Sequence, residues 1–162
     1  MVSPKDSQPA SAERRLRDLG IVLPRAPHPL GAYVEAVQSG SLLFLSGMLP
    51  VEDGKLQYVG RLGKELDAEA GRDALRTATL NALSAAKEHL GSLDRVTKVV
   101  RVGVYLATSG DFYNQPIVAD AASELLRDVF GEGKTSVRSV IGVASLPLGV
   151  PVILEVIFEV NN

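Results

Sequence analysis

The chain's pattern predicts an α+β domain: a mixed sheet with two helices packed on one face, plus a short N-terminal helix. Three observations lead there. Residues 67–90 and 116–130 carry apolar side chains at helical spacing. Residues 96–106 and 151–160 are β-branched runs with a period of two. A pair of short apolar segments precedes them all, so the element order is ββ(β)αβαββ.

Residues 1–9 are polar, contain two prolines and are expected to form a disordered lead-in. From Ala10 the spacing predicts a helix with Leu16 and Leu19 on one face and Gly20 as its stop. Residues 21–31 hold three prolines and read as an extended connector. Residues 33–37 and 42–45 form a hairpin signal across the turn-forming Gln38-Ser39-Gly40-Ser41. Ser46-Gly47 ends the second strand, and Gly47 serves either a turn or the close approach of a ligand.

Residues 52–65 read as a loop with one short strand at 56–59. The longest helix follows at 67–90, with Leu75, Ala82, Leu83, Ala86 and Leu90 on one stripe and Gly91 as cap. In the strand 96–106, Val96, Val100, Val102, Val104 and Leu106 are assigned to one face. The second helix starts at Pro116, a residue suited to a first turn, and Gly131 caps it. The closing strands are 137–144 and 151–160. In the latter, Val152, Leu154, Val156, Phe158 and Val160 oppose Ile153, Glu155, Ile157 and Glu159. Two helices cover one sheet face, and the half-apolar rows left on the other predict a homo-oligomer.

Composition narrows the function. With 162 residues, 46% hydrophobic, the chain fits one domain spanning residues 10–162. A net charge of −2 and no basic run with interleaved aromatics argue against nucleic acid as a partner. No apolar run reaches membrane length and no apolar leader opens the chain, so no membrane partner and a cytoplasmic location are expected. Absence of cysteine removes thiolate chemistry and disulfides. His28 and His89 have no partner at metal-ligand spacing, so no metal site is expected and both read as surface residues. Gly133-Lys134-Thr135 imitates the end of a phosphate-binding loop. Asp128 stands where that motif needs glycine, and the helix comes before the segment, which excludes ATP.

What remains is Arg138, the one charged residue between Ser136 and Val150. A lone guanidinium in an apolar run needs an anion for its donors. That anion is either one of the chain's own carboxylates or a ligand's.

Three motifs in order, Gly31-Ala32-Tyr33-Val34, Leu45-Ser46-Gly47-Met48-Leu49-Pro50, and Arg138-Ser139 followed by Val143-Ala144-Ser145-Leu146-Pro147, resemble the YjgF/YER057c/UK114 family. That family is also called Rid or "endoribonuclease L-PSP", and the longer N-terminus here looks most like a less characterised branch of it. The resemblance implies a chorismate-mutase-like α+β fold and a homotrimer with clefts between subunits. It implies cofactor-free hydrolysis of 2-imino and enamino acids to 2-keto acids and ammonia. On that template Arg138 clamps the substrate carboxylate, Tyr33 lines the pocket, and Ser46, Gly47, Ser139, Val140 and Asp120 complete it. The family's water-activating glutamate falls at Ile153, which can neither hold nor polarise water. Glu155, about 6.7 Å along the same strand face, is the candidate replacement or else a structural glutamate. Three readings are therefore carried forward: a weak imine/enamine deaminase, a non-catalytic module capturing small carboxylates such as keto acids, and, ranked below both, an endoribonuclease or translation inhibitor.

Overall fold

A computed structural model describes residues 10–162. The lead-in expected at residues 1–9 lies outside the described residues. Helix α1 (Ala12–Asp18) is capped by the Ser11 hydroxyl. The hairpin β1 (Ala36–Ser39) and β2 (Leu42–Leu45) follows an irregular connector. The strand expected from Tyr33 thus starts three residues later, and Tyr33 and Val34 stand exposed before it. The hairpin turn has only two central residues, Gly40 and Ser41. Gly40 takes a positive φ of 60° there, which glycine tolerates without strain.

The segment read as a loop with one strand holds a second, two-stranded hairpin, β3 (Val51–Glu52) and β4 (Lys55–Leu56). Its turn is Asp53-Gly54, both with positive φ, and this dipeptide was the signal for it. Helix α2 (Ala68–Leu90) starts on an Asp67 side chain that accepts from Ala70 N–H at 2.8 Å and ends on a left-handed Gly91. Strand β5 (Val96–Ala107), helix α3 (Gln115–Phe130), strand β6 (Val137–Val143) and strand β7 (Val152–Val160) complete the chain.

Five strands form one mixed sheet in the order β1-β2-β7-β5-β6. Only β5 and β6 run parallel, joined through α3. Helices α1, α2 and α3 belong to one layer, α2 and α3 packing on the sheet and α1 against α3. Under that layer Leu43, Val102, Val104, Leu154, Val156 and Phe158 are at most 1% exposed. The alanines of α2, among them Ala74, Ala78 and Ala82, let its backbone come close to the strands. One assignment on β5 needs correcting: Val99, not Val100, joins the core. Register irregularities between Val96 and Lys98 and between Val99 and Arg101 insert extra residues, which a strict two-residue period does not anticipate.

Two ties position the loops. The Asn81 side-chain amide donates to Leu49 and Val51 carbonyls at 2.9 and 2.8 Å, fixing the segment after Gly47 against α2. The Ser84 hydroxyl donates to the Pro24 carbonyl at 2.9 Å and holds the connector on the same helix. Glu13 anchors α1: its carboxylate meets Lys87 Nζ at 2.8 Å and accepts from Leu93 N–H at 3.0 Å. Burial opposes ionisation of Glu13, but the Lys87 ammonium and the Leu93 N–H outweigh it and hold the carboxyl below its usual range. Among the described residues, no helix is long and apolar enough to cross a membrane.

Candidate functional site

The cross-strand register decides which predicted residues can meet. Val102 of β5 faces Arg138 on one side and Val156 on the other, while Gly103 faces Ser139 and Glu155. Neighbouring strand residues point to opposite sheet faces. Arg138 therefore points to the helix side with buried Val102, and Glu155 to the open side. Arg138 and Glu155, both assigned to catalysis, are separated by the sheet within one protomer.

Arg138 already has an internal anion. Its Nη1 donates to Asp120 Oδ1 at 2.8 Å and to Ser123 Oγ at 3.2 Å, both on α3. Of the two readings open for this guanidinium, the pairing with the chain's own carboxylate is realised. It also brings together two predicted site residues, Arg138 and Asp120. Only Nη1 is spent: Nε and Nη2 have no hydrogen-bond acceptor among the described residues. That edge is the one a carboxylate takes bidentately. Ser123 adds a neutral acceptor that the sequence did not single out. Its signal was its place three residues after Asp120, one helical turn on.

The other predicted residues lie apart. Tyr33 precedes β1, at the opposite edge of the sheet from β6. Four strand spacings of about 4.8 Å separate those edges by roughly 19 Å, too far for one small molecule to span. Tyr33 is 45% exposed, and its hydroxyl accepts only from the Leu30 N–H, at 3.1 Å. The Ser46 hydroxyl is spent on the Val34 carbonyl, so it orders the loop before β1. A Cβ placed on Gly47 would lie 2.9 Å from Ile153 Cγ2. Gly47 is thus a close-approach glycine, and what approaches it is the chain's own Ile153. Val140 packs against the core, and Ser139 lies on the open face.

On that open face the structure assembles a group that sequence reading missed. Arg101 Nη1 stands 3.9 Å from Glu155 Oε2, and the Tyr105 hydroxyl donates to the same oxygen at 3.3 Å. The spacing Arg101-x-Gly103-x-Tyr105, in phase on one strand face, was the available signal.

A cavity of about 60 Å³ opens beside Ser123 and Leu126, room for water only. A groove of about 640 Å³ lies between the connector and α2, lined by Leu16, Ile21 and Leu23 among others. Neither is lined by Tyr33, Gly47, Arg138 or Glu155. His28 and His89 are exposed, and no cluster of metal-ligating side chains occurs among the described residues.

Comparison with known proteins adds the following. A family described as YjgF/chorismate mutase-like, putative endoribonuclease matches residues 13–160. "Protein TCP17" of Trypanosoma cruzi is 41% identical over 149 residues, 91% of this chain and 92% of the relative. A 2-iminobutanoate/2-iminopropanoate deaminase of Dermatophagoides farinae is 30% identical, covering 87% of this chain and 95% of that protein. Among solved structures, Atu1372 of Agrobacterium tumefaciens, a protein of unknown function, superposes with a TM-score of 0.85 at 34% identity, covering 93% and 92% of the two chains.

Proposed function

The chain belongs to the YjgF/chorismate mutase-like family, and from that premise we propose that it binds small 2-imino or 2-keto carboxylates at Arg138 and hydrolyses the imines slowly to keto acids and ammonia. The observation that carries the proposal is the half-spent guanidinium. Asp120 and Ser123 fix Nη1, and the Nε–Nη2 edge stays free on an edge strand of the sheet. A relative with a 2-iminobutanoate/2-iminopropanoate deaminase name supports the substrate class.

The site is shared between copies. Tyr33 and Arg138 occupy opposite sheet edges, so they serve one ligand only when the β1 edge of one protomer meets the β6 edge of another. Both edges carry unpaired strand backbone, which proteins normally cover. Three protomers joined in this way form the homotrimer expected for the family. Sedimentation at micromolar concentration gives the trimer mass, and a monomer at that concentration defeats the shared site.

Hydrolysis is slow because Ile153, packed on Gly47, occupies the position where a water-activating glutamate is expected. Holding the imine by its carboxylate beside water still accelerates a reaction that proceeds unaided. Loss of a general base costs about 10²- to 10⁴-fold. The test is ammonia release from an enzymatically generated 2-imino acid. Release above background that Arg138→Ala abolishes supports the reading, and release unchanged in Arg138→Ala removes it.

The apolar Gly47–Ile153 contact favours one second reading, a binding module without turnover. Calorimetric binding of 2-oxobutyrate with no ammonia release from the imine selects it. RNA cleavage by purified protein, lost in Arg138→Ala, replaces both.

A further inference from the structure

The cations near Arg138 are not all answered by carboxylates of the chain. Arg138 has Asp120 at 2.8 Å, and Arg127, further along α3, has its neighbour Asp128 at 3.2 Å. Lys134, in the turn between α3 and β6, pairs with no carboxylate among the described residues. Its partly buried Nζ donates to the Val96 carbonyl at 3.0 Å. An ammonium carries three donors, so that contact leaves two. The carbonyl satisfies one donor but does not neutralise the charge, and partial burial makes an anion beside it worth more than in open water.

Lys134 and Arg138 belong to one neighbourhood. The small cavity beside Ser123 is lined also by Arg127, Lys134, Thr135 and Ser136. The Ser123 hydroxyl is the same one that accepts from Arg138 Nη1 at 3.2 Å. Ser136 stands two residues before Arg138, so at strand spacing it lies on the same side of the sheet, about 6.6 Å away. The cavity has room for water only, so a ligand reaches its mouth and not its interior. This neighbourhood lies on the helix side of the sheet, between α3 and the start of β6. The half-apolar face that self-association is expected to cover is the opposite one.

We propose that the ligand of the Arg138 site is a dicarboxylate, a five-carbon 2-imino or 2-keto diacid whose second carboxylate is selected by Lys134 and Ser136. The inference rests on the reading of Arg138 as a carboxylate clamp and narrows its substrate class. The carboxylate next to the imine or keto carbon lies on the free Nε–Nη2 edge of Arg138. The distal carboxylate rests at the cavity mouth, on the Ser136 hydroxyl and beside the Lys134 ammonium. Four C–C bonds of about 1.5 Å hold the two carboxyl carbons roughly 5 Å apart in an extended chain, a span that fits the step from Arg138 to Ser136. Arg127 strengthens the positive field at that end without touching the ligand. A five-carbon monoacid sets a methyl group against the ammonium and the hydroxyl, leaves both unsatisfied and binds less well.

The experiment compares 2-oxoglutarate with 2-oxopentanoate, keto acids of five carbons that differ only in the distal carboxylate, by calorimetry on the full chain. Wild type is expected to bind the diacid at least about tenfold tighter. That ratio should fall towards one in Lys134→Met, persist in Lys134→Arg, which keeps the charge, and shrink as salt is raised. Circular dichroism confirms that both variants fold. Equal affinity of wild type for the two keto acids, with both lost in Arg138→Ala, overturns the proposal and leaves the Arg138 clamp standing. A ratio that Lys134→Met leaves intact also overturns it and makes Lys134 a structural residue held by the Val96 carbonyl. Saturable binding of neither keto acid, or affinities that Arg138→Ala does not change, remove the clamp and the proposal together.

Discussion

The two faces of the central sheet treat the same residue types in opposite ways. Beneath the helices, Phe158 is fully buried and meets Phe130 with ring centroids 5.6 Å apart. On the far face Phe44, Ile141 and Val137 stay 39–69% exposed. The arginines repeat the contrast. Arg138, under the helix layer, is pinned by Asp120 and Ser123, whereas Arg101, on the open face, has a carboxylate 3.9 Å away and no hydrogen-bond acceptor among the described residues. A charge beside a packed helix finds its partner within the chain, because desolvation makes an unpaired charge costly there. A charge on the open face stays hydrated in the protomer, so a close partner is not required of it.

That contrast is most exposed to attack at the aromatic pair. Phe158→Ala is expected to cost about 3–5 kcal/mol of stability through the cavity it leaves. Phe44→Ala costs no more than about 1 kcal/mol in urea unfolding of the dilute protomer. Equal losses would mean that the open face is packed as tightly as the covered one.

The next largest effect concerns Ile153. Ile153→Glu removes the γ-methyl that crowds Gly47 and installs a carboxylate. Ammonia release from 2-iminobutyrate is expected to rise about 10²-fold. An unchanged rate would show that the missing carboxylate is not what limits turnover. In the opposite direction, Gly47→Ala drives a Cβ to 2.9 Å from Ile153 Cγ2. It should cost about 1–2 kcal/mol, and most of that cost should vanish in an Ile153→Ala background, read as a double-mutant cycle.

Asp120→Asn tests the pinned arginine more gently. It keeps an acceptor for Nη1 and removes the competing charge. Binding of 2-oxobutyrate should tighten by up to about fivefold, the 0.2–1 kcal/mol of a partly exposed ion pair. Weaker binding would make Asp120 a ligand-contacting group rather than a positioning one.

The smallest effect is local. The carboxyl of Glu13 is held below its ordinary value of 4.5, so its ionised form stabilises the docked α1 above that pH. As pH falls from 4.5 through the lowered folded-state value, this contribution is lost, and amide exchange in α1 should rise before that of α2. Exchange that rises equally in both helices would deny the anchor.

Much of this was legible in the residues. The stripe Leu75, Ala82, Leu83, Ala86 and Leu90 is buried as its spacing predicts. The alternation of β7 is realised residue for residue, Val152 to Val160 buried at every second position. Gly131 and Gly91 end their helices where glycine was read as a stop. The start of β1 and the β3–β4 hairpin were missed because such short elements are set by partner strands and turn dihedrals more than by apolar period. The burial of Val99 was missed for the related reason that a bulge shifts phase without altering composition.

By itself, then, the sequence determined the long helices and strands, their order and the family, because helical and strand periods are local and the three motifs are contiguous in the chain. Which groups share a face was decided only by tertiary structure. Arg138 and Glu155 both looked fit for one site, and pairing of β5 with β6 and β7 put them on opposite sides of the sheet. That pairing joins residues far apart in sequence, and a shift of one residue in it exchanges the two faces.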